Sequence, residues 1–450
     1  MATTHTHSNA SLVYSILVAA VASAAVGVSL ALCPERSAPL APGTSWVETW
    51  GDNGNEFGDM GFAGRVPDSK RPKLTAFFER ESYRPGQTAE LDVTDNAPAV
   101  SMQIFRAGTE NRPTVLYDVM LGSPVGPPKR LGAVHDRLRV PVHVGDWPSG
   151  VYFVQLTSGR RIGYAPFVLA PRRLGEHRIA VVMPTQTWQA YNFRDADHNG
   201  IGDTWYADAS IHQAVLIRPF LDRGVPPHWK YYDAPFVRWL VHTGKQVDFL
   251  SDAELRAVPD GRALARAYTL IIFSGHHEYV TTHEYDAVTQ YRDLGGNLMF
   301  LSANNFYWKI TLDGSVMTRV AKWRDLGRPE ASLIGVQYIA NDNGEHRGPW
   351  IVRDPQAAPW LLADTGLAKG DGFNSGGIEI DRVAPSSPRG VKVIAEIPNL
   401  FGPGFTAQMT YYETKAGAKV FAAGAFSLAC SSWTKPASTM LGNLWRKLES

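Results

Sequence analysis

Segment 275–279 carries side chains suited to acid–base or metal chemistry. It places two imidazoles, a carboxyl and a phenol directly after an apolar run. A positioned imidazole or carboxylate can move protons, and carboxylate and phenolate oxygens are hard donors for a metal ion. The sequence therefore offers His277 and Glu278 as candidate acid–base residues, with His276 and Tyr279 beside them.

A second polar and aromatic segment, 304–308, follows the next apolar run along the chain. Neighbouring parallel strands end at the same edge of a sheet, and ligands bind there. We therefore expect segments 275–279 and 304–308 to line one pocket together with segment 184–192. The predicted pocket residues are Trp188, Tyr191, Asn192, His276, Asn305 and Trp308. The alternative is that the aromatic side chains only pack and hydrogen-bond at the sheet edge.

Residues 195–203 have the pattern of a calcium-binding loop. Side-chain oxygens alternate as D-x-D-x-N-G-x-x-D, with glycine in the sixth position for a sharp turn. The predicted ligands of a structural calcium ion are Asp195, Asp197, Asn199, the carbonyl of Ile201, and Asp203. Position twelve is Tyr206 and not the bidentate Glu of an EF-hand, so the pattern predicts an EF-hand-like loop. A solvated turn without metal is the alternative.

Two kinds of hydrophobic pattern indicate the elements that position these residues. From 74 to 172, short runs alternate polar and apolar residues between turn clusters, which predicts an immunoglobulin-like antiparallel β-sandwich. From 173 to 450, continuously apolar runs at 178–183, 268–273 and 298–301 alternate with helical stretches at 234–243 and 282–294. That alternation predicts an α/β domain with a parallel sheet covered on both faces.

The N-terminal 34 residues predict export. No charged residue precedes Glu35, and residues 12–33 are nearly all apolar, long enough to cross a hydrocarbon layer as a helix. A cleaved signal peptide and a retained signal-anchor both fit. We expect a secreted, periplasmic or membrane-anchored protein, with membrane contact only through that anchor. Residues 35–73 are rich in Pro, Gly and Ser and are expected to form a linker.

Composition excludes several classes of protein. The 44 Lys and Arg against 43 Asp and Glu leave a formal charge of +1, so no broad field exists to bind nucleic acid. Two cysteines, Cys33 and Cys430, are too few for a disulfide-stapled scaffold or a four-cysteine zinc site. The expected partner is a small-molecule substrate or ligand.

The ordered motifs at 184–192, 275–279, 295–308 and 377–381 resemble the C-terminal region of the N,N-dimethylformamidase large (beta) subunit family. The resemblance covers roughly residue 178 to the C-terminus and implies a flavodoxin-like, class I glutamine amidotransferase-like fold. It also implies an iron(III) ion held by two tyrosines and one glutamate, and hydrolysis of a small amide. The best matches to these ligands are Tyr279, Tyr307 and Glu379.

The same resemblance bears on the nucleophile. The amidotransferase fold uses a cysteine on the turn after a strand, and segment 301–305 has none. A cysteine-dependent glutaminase is therefore disfavoured. Two functions remain open: an exported metal-dependent hydrolase that cleaves the C–N bond of a small amide, and a non-catalytic, calcium-stabilised extracellular protein that binds a ligand such as a glycan.

Overall fold

The computed structural model describes residues 71–450 apart from 112, 113, 115, 343, 344 and 427. The expected export segment at 1–34 and nearly all of the expected linker lie outside these residues. None of the helices in the described part of the chain is long and apolar enough to span a membrane.

Residues 71–172, the N-terminal part, form two β-sheets around one core. The strands are β1 Ala76–Phe78, β2 Ser82–Tyr83, β3 Thr88–Val93, β4 Ala97–Arg106, β5 Ser123–Val134, β6 Leu138–His143, β7 Gly150–Ser158 and β8 Arg161–Leu169. One sheet has the order β1-β3-β6 and the other β2-β8-β7-β4-β5. Alternate residues such as Leu91 and Val93 of β3 are buried against Val154 and Phe167 of the facing sheet, as period-two patterning requires.

Residues 173–450, the C-terminal part, combine strands with short helices. Its strands are β9 Ile179–Met183, β10 Gln213–Val215, β11 Asp248–Ser251, β12 Leu270–Phe273, β13 Tyr279–Thr281, β14 Asn297–Phe300, β15 Trp308–Asp313, β16 Val316–Lys322, β17 Gln337–Asn341, β18 Arg347–Val352, β19 Gly372–Arg382, β20 Lys392–Ile397, β21 Ala407–Glu413, β22 Lys419–Ala422 and β23 Ala425–Phe426. Its helices are α1 Thr185–Ala190, α2 Trp229–Tyr232, α3 Ala234–His242, α4 Asp252–Ala257, α5 Gly261–Ala267, α6 Thr282–Asp293, α7 Ala331–Ile334, α8 Pro359–Leu362 and α9 Lys435–Leu448, with a 3₁₀ turn at Trp323–Leu326. The chain is thus a mixed α/β protein in which, among the described residues, strands predominate.

The centre of the large sheet is parallel. Strands β11, β9, β12, β14 and β22 are neighbours in that order, and each pair is parallel. Every residue of β9 and β12 is buried because helices cover both faces. Ile272 packs in a core with α3 and α9, whereas Ile271 packs on the other side with α4, α5 and α6. This two-sided burial explains why these strands are apolar at every position.

The sheet continues beyond β22 with antiparallel strands. The order is β22-β21-β20-β18-β19-β17, and β23 also pairs with β19. A separate four-stranded sheet has the order β10-β16-β15-β13. The antiparallel extension carries Glu379 on β19, and the small sheet begins at Tyr279 on β13. Both therefore bring residues to the edge where β12 and β14 end.

Buried contacts join the two parts. Val151 and Phe153 of β7 belong to the same core as α3 of the C-terminal part. The hydroxyl of Ser82 donates to Glu254 Oε1 at 2.7 Å, and the backbone N–H of Phe249 donates to Ser149 Oγ at 2.7 Å. The N-terminal part therefore packs against the edge strand β11 and the helix that follows it.

Candidate active site

The candidate site lies where strands β12 and β14 end. Backbone hydrogen bonds tie the two segments that follow these strands together: Phe306 N donates to His277 O at 2.7 Å, and Trp308 N donates to Glu278 O at 2.9 Å. The pairing continues as parallel strands β13 and β15, with Tyr279 opposite Trp308. Segments 275–279 and 304–308 are therefore adjacent, as the sequence predicts.

Glu278 is the centre of a buried cluster of oxygen atoms. Its carboxylate, which is 0 % exposed, accepts hydrogen bonds from the hydroxyl of Tyr191 at 2.6 Å and from that of Tyr206 at 3.0 Å. The Tyr206 hydroxyl also makes a short hydrogen bond with the Tyr279 hydroxyl, which accepts a further bond from Trp205 Nε1 at 3.0 Å. Both hydroxyls donate to the same oxygen, Oε2, so the Glu278 carboxylate is held as a hydrogen-bond acceptor.

His276 lies between two carboxylates. Its Nε2 is 3.6 Å from Glu278 Oε2 and 3.2 Å from Glu379 Oε2. Burial lowers the pKa of His276 to about 4, and the charge of Glu278 opposes that shift only in part. Glu379 thus comes from β19 to face a residue that follows β12, across the imidazole.

The three phenols around Glu278 are strongly disfavoured as phenolates. Burial is the largest cause that raises the pKa of Tyr191, Tyr206 and Tyr279 well above its usual range, and the negative charge of Glu278 is the next. A buried cation is the change that would reverse both causes, because it stabilises the ionised oxygens directly.

His277 points away from this cluster. Its ring packs edge-on against Phe273 with centroids 4.9 Å apart, and its Nδ1 is 3.3 Å from Gly275 O. The geometry favours His276 over His277 as the imidazole that acts with Glu278.

Tyr307 and its neighbours form the next layer of the site. Tyr307 N donates to Glu278 O at 3.0 Å, and the buried Tyr307 ring packs on Tyr338 with centroids 5.1 Å apart. Trp308 packs on Tyr307 and lies under the guanidinium of Arg319. The structure therefore places Tyr307 at the same strand end as Glu278.

Two predicted pocket residues hold the backbone in place. Asn305 Oδ1 accepts a hydrogen bond from His277 N at 3.4 Å, and Asn192 Nδ2 donates to Pro219 O at 3.0 Å. The backbone at Asn304 is left-handed, with φ of 52°, and its N–H donates to Asp381 Oδ1 at 2.9 Å. A carboxylate from β19 thus fixes the sharp turn after β14.

Sequence reasoning missed Tyr206, Trp205 and Asp233. Tyr206 and Trp205 directly follow the acidic loop 195–203, and both reach Tyr279. Asp233 is 1 % exposed and accepts a hydrogen bond from Trp188 Nε1 at 3.0 Å. No local pattern separates His276 from His277 or distinguishes Asp233 from an ordinary helix cap.

The acidic loop lies at the surface beside this site. Among the described residues, Asp195, Asp197 and Asp203 are the group whose oxygens come within 4.8 Å of one another. Backbone N–H groups of Asn199 and Gly200 donate to Asp195 at 3.2 and 2.8 Å. The carboxylates therefore converge as the loop pattern requires, and the loop's own backbone satisfies part of their hydrogen bonding.

Most of the chain matches one protein-family model. The family is described as N,N-dimethylformamidase beta subunit-like, C-terminal, and the match spans residues 135–432. The N,N-dimethylformamidase beta subunit of Paracoccus aminophilus is 26 % identical over 44 % of this chain and 31 % of its own length. The subunit of the same name from Alcaligenes sp is 24 % identical over 35 % of this chain and 17 % of its own. The matches thus span about a third or less of these relatives.

Solved structures show weaker likeness. A Paenibacillus cycloisomaltooligosaccharide glucanotransferase matches with a TM-score of 0.16 and 10 % identity, over 26 % of this chain and 17 % of that one. A likeness at this level carries no argument about the fold or the site.

Proposed function

This chain belongs to the N,N-dimethylformamidase beta subunit-like family, and from that premise we propose that it hydrolyses the C–N bond of a small amide in the cluster around Glu278. The observation that carries the proposal is the position of His276 Nε2, 3.6 Å from Glu278 Oε2 and 3.2 Å from Glu379 Oε2. Two buried carboxylates and a neutral imidazole in one enclosed space can orient water and accept its proton.

In this mechanism Glu278 is the general base. The Tyr191 and Tyr206 hydroxyls point at its oxygens and hold it in place, so its geometry does not depend on solvent. His276, whose lowered pKa keeps it neutral at pH 7, orients the attacking water between the two carboxylates. The enclosing aromatic rings exclude bulk water, which strengthens each electrostatic interaction inside.

We further propose that Tyr279, Tyr307 and Glu379 hold an iron(III) ion. The donor set fits a hard cation, because phenolate and carboxylate oxygens are its preferred ligands. The charge of a bound cation would offset the burial and the Glu278 charge that raise the pKa of Tyr279. When bound, such an ion would polarise the amide carbonyl and acidify a water molecule. Tyr206, which bonds Tyr279, would then position that phenol for the ion.

We propose a flavodoxin-like, class I glutamine amidotransferase-like fold for 173–450 and an immunoglobulin-like sandwich for 74–172. The parallel order β11-β9-β12-β14-β22, with helices on both faces, supports the first. The two sheets that share one core support the second.

Calcium in loop 195–203 and export through the apolar segment 12–33 are further proposals. The convergence of three carboxylates supports the first, and the uncharged N-terminal segment supports the second.

The test measures release of dimethylamine from N,N-dimethylformamide, and of ammonia from formamide and acetamide, by the full chain, together with its iron content. We expect hydrolysis of at least one amide, near-stoichiometric iron and a visible tyrosinate-to-iron absorption band. Tyr307→Phe should lose the band and most of the activity. Tyr152→Phe removes another buried tyrosine hydroxyl, one that bonds Pro148 O in the N-terminal part, and should change neither.

Two results would count against the proposal. Iron-free protein with full activity would contradict the proposed iron site but not the proposed roles of Glu278 and His276. A calcium-binding protein that hydrolyses no amide and binds oligosaccharides would favour the non-catalytic alternative.

A further inference from the structure

A cavity lies at the junction of the two parts, apart from the residues assigned to hydrolysis. It encloses about 130 Å³. A cavity needs only about 10–15 Å³ to hold one water molecule, so this one has room for a polyatomic ion. Its wall includes Arg106, Pro148 and Ser149 of the N-terminal part and His177, Lys245 and Phe249 of the C-terminal part. We call it the junction cavity.

The junction cavity is lined by charges of one sign. Among the described residues of its wall, Arg106 and Lys245 are positively charged, His177 can become so, and none is Asp or Glu. The chain as a whole has a formal charge of only +1, so this is a local feature. An enclosed space with walls of one sign concentrates ions of the opposite sign. The cavity therefore favours an anion.

Arg106 lacks a partner on the protein. Its Nε is buried without a hydrogen-bond acceptor, and none of the described carboxylates forms an ion pair with it. This nitrogen lies 3.5 Å from the position that a Cβ at Gly150 would take, which places it next to the turn that carries Ser149. Leaving a buried charged donor without an acceptor is unfavourable. The N–H group therefore requires an acceptor that the described chain does not supply, which indicates a ligand.

Lys245 and His177 supply the cationic groups of the C-terminal part. Lys245 forms no ion pair with a described residue, and its ammonium lies over the Trp445 ring, 4.8 Å from the centroid, which limits the freedom of the side chain. The imidazole of His177 is oriented by Asp248, whose Oδ1 lies 2.9 Å from Nδ1, so Nε2 is the nitrogen left for a ligand. Asp248 is 0 % exposed and its other oxygen accepts a hydrogen bond from the Tyr268 hydroxyl at 3.0 Å, so this carboxylate does not reach the cavity.

We propose that the junction cavity binds one doubly charged oxyanion, a phosphate or sulfate group, between Arg106 of the N-terminal part and Lys245 of the C-terminal part. A tetrahedral oxyanion offers several acceptor oxygens, and a guanidinium group can donate two parallel hydrogen bonds to them. Lys245 adds a second charge, and a protonated His177 adds a further donor. The site is independent of the proposed hydrolysis, which involves none of these residues.

Binding at this place would join the two parts of the chain. Arg106 is the last residue of β4, and Lys245 lies in the turn between α3 and β11. An anion that contacts both residues adds to the buried contacts between these elements and stabilises the folded chain over the unfolded one. A free phosphate or sulfate ion and the phosphate group of a small ester share this chemistry, so the experiment compares them.

The test is the binding of sodium sulfate to the full chain, measured by calorimetry at neutral pH and constant ionic strength. Sulfate is doubly charged under these conditions. We expect one site per chain, and acetate should bind at least about tenfold more weakly, because it carries one charge and has only two oxygens. Inorganic phosphate and glycerol 3-phosphate, measured in the same way, separate the free ion from an ester.

Three substitutions locate the site. Arg106→Met keeps the aliphatic stem and removes the guanidinium, so sulfate affinity should fall at least about tenfold. Lys245→Met should weaken binding by a smaller factor, since a lysine contributes charge without paired hydrogen bonds. Lys369→Met removes the same charge at an exposed position outside the cavity wall and should leave the affinity within about twofold. Sulfate should also raise the unfolding free energy of wild type more than that of Arg106→Met, beyond its general effect as a salt.

The possible results separate cleanly. No saturable sulfate binding, or binding that neither Arg106→Met nor Lys245→Met weakens, would overturn the inference. Acetate binding as tight as sulfate binding would also overturn it, because the site would then not select a doubly charged ion. Tighter binding of glycerol 3-phosphate than of inorganic phosphate would assign the site to an ester, and the reverse would assign it to the free ion; both support the shared chemistry.

The question stays decidable if Arg106→Met does not fold. Arg106→Lys keeps the charge but not the paired donors and should weaken sulfate binding, as should Lys245→Met. Unchanged affinity in both of these variants would overturn the inference. The presence or absence of amide hydrolysis changes none of these readings.

Discussion

Carboxylates occur in two contrasting settings in this molecule, the buried cluster around Glu278 and the surface loop 195–203. In the loop, desolvation acts to raise the pKa of Asp195, but several hydrogen bonds, the first of them from Gly200 N, together outweigh it and lower that pKa. In the interior, burial raises the pKa of Asp233 and Asp381. Water and several backbone N–H groups reach the loop carboxylates and favour their ionised form. Asp381 accepts a hydrogen bond from Asn304 N, but burial outweighs it.

The contrast separates what each region can do. A solvated carboxylate is already ionised, so the loop can bind a cation with little change in its own structure. A buried carboxylate with a raised pKa can hold and release a proton near neutral pH, which catalysis requires. The two regions are nevertheless close along the chain. Tyr206, three residues after Asp203, donates a hydrogen bond to Glu278.

Replacing the carboxylate of Glu278 should have the largest effect. Glu278→Gln keeps the shape but removes the base, and we expect amide hydrolysis to fall by up to about 10⁴-fold, equivalent to roughly 5 kcal/mol of barrier. The matched surface change, Asp197→Asn, should leave the turnover rate of calcium-saturated protein within about twofold. Equal losses in the two variants would remove the functional contrast between the regions.

The second-largest expected effect is the contribution of Asp233 to the pH dependence of the unfolding free energy. Its folded pKa lies above its unfolded value, so the unfolded chain loses this proton first and the group's contribution to stability falls as pH rises from about 4 to about 7. The difference in unfolding free energy between Asp233→Asn and wild type should therefore grow in favour of the variant by about 4 kcal/mol over that range. Chemical denaturation at several pH values measures this, and a pH-independent difference would contradict the raised pKa.

Calcium should stabilise the fold through the loop by a smaller amount. At a free concentration about a hundredfold above its dissociation constant, we expect a gain of about 2.7 kcal/mol in unfolding free energy. Asp195→Asn should abolish most of this gain, because it removes one of three negative charges whose oxygens lie within 4.8 Å of one another. Magnesium, which demands octahedral geometry, should substitute poorly, and an equal response to both ions would count against this loop as a calcium site.

The smallest expected effect is that of a loop substitution on the unfolding free energy when no metal is bound. In the presence of a chelator, Asp197→Asn should change the unfolding free energy by no more than about 0.5 kcal/mol, since the side chain is exposed and bonds only its own loop. A loss of several kcal/mol under these conditions would show that the loop stabilises the fold by itself, and the two regions would then be more alike than their burial indicates.

Local patterns predicted the strands that are buried on both faces, because β9, β12 and β14 are apolar at nearly every position. They did not predict the sheet formed by β10, β16, β15 and β13. Its strand β16 contains Thr, Arg and Lys and is half-exposed, so it carries neither a continuous nor an alternating apolar pattern.

The candidate site was predictable only where its residues follow buried strands. His276, Glu278 and Tyr279 stand directly after β12, and their type and place point to chemistry. Tyr206 and Asp233 come from segments outside the parallel sheet, and tertiary packing alone brings them in. No spacing within the sequence encodes the contact between Gly275 and Asp233.

The route by which β19 joins the sheet has a consequence for the order of assembly. Glu379 is synthesised before β20, β21 and β22, yet in the sheet those later strands stand between β19 and β14. β23, which pairs with β19 directly, is made later still. A nascent chain that has already produced every residue of the Glu278 cluster therefore cannot close it until residues 419–426 emerge. C-terminal truncation before that point would remove no member of the cluster and still prevent its formation, and during refolding activity would appear only after these long-range strands have paired.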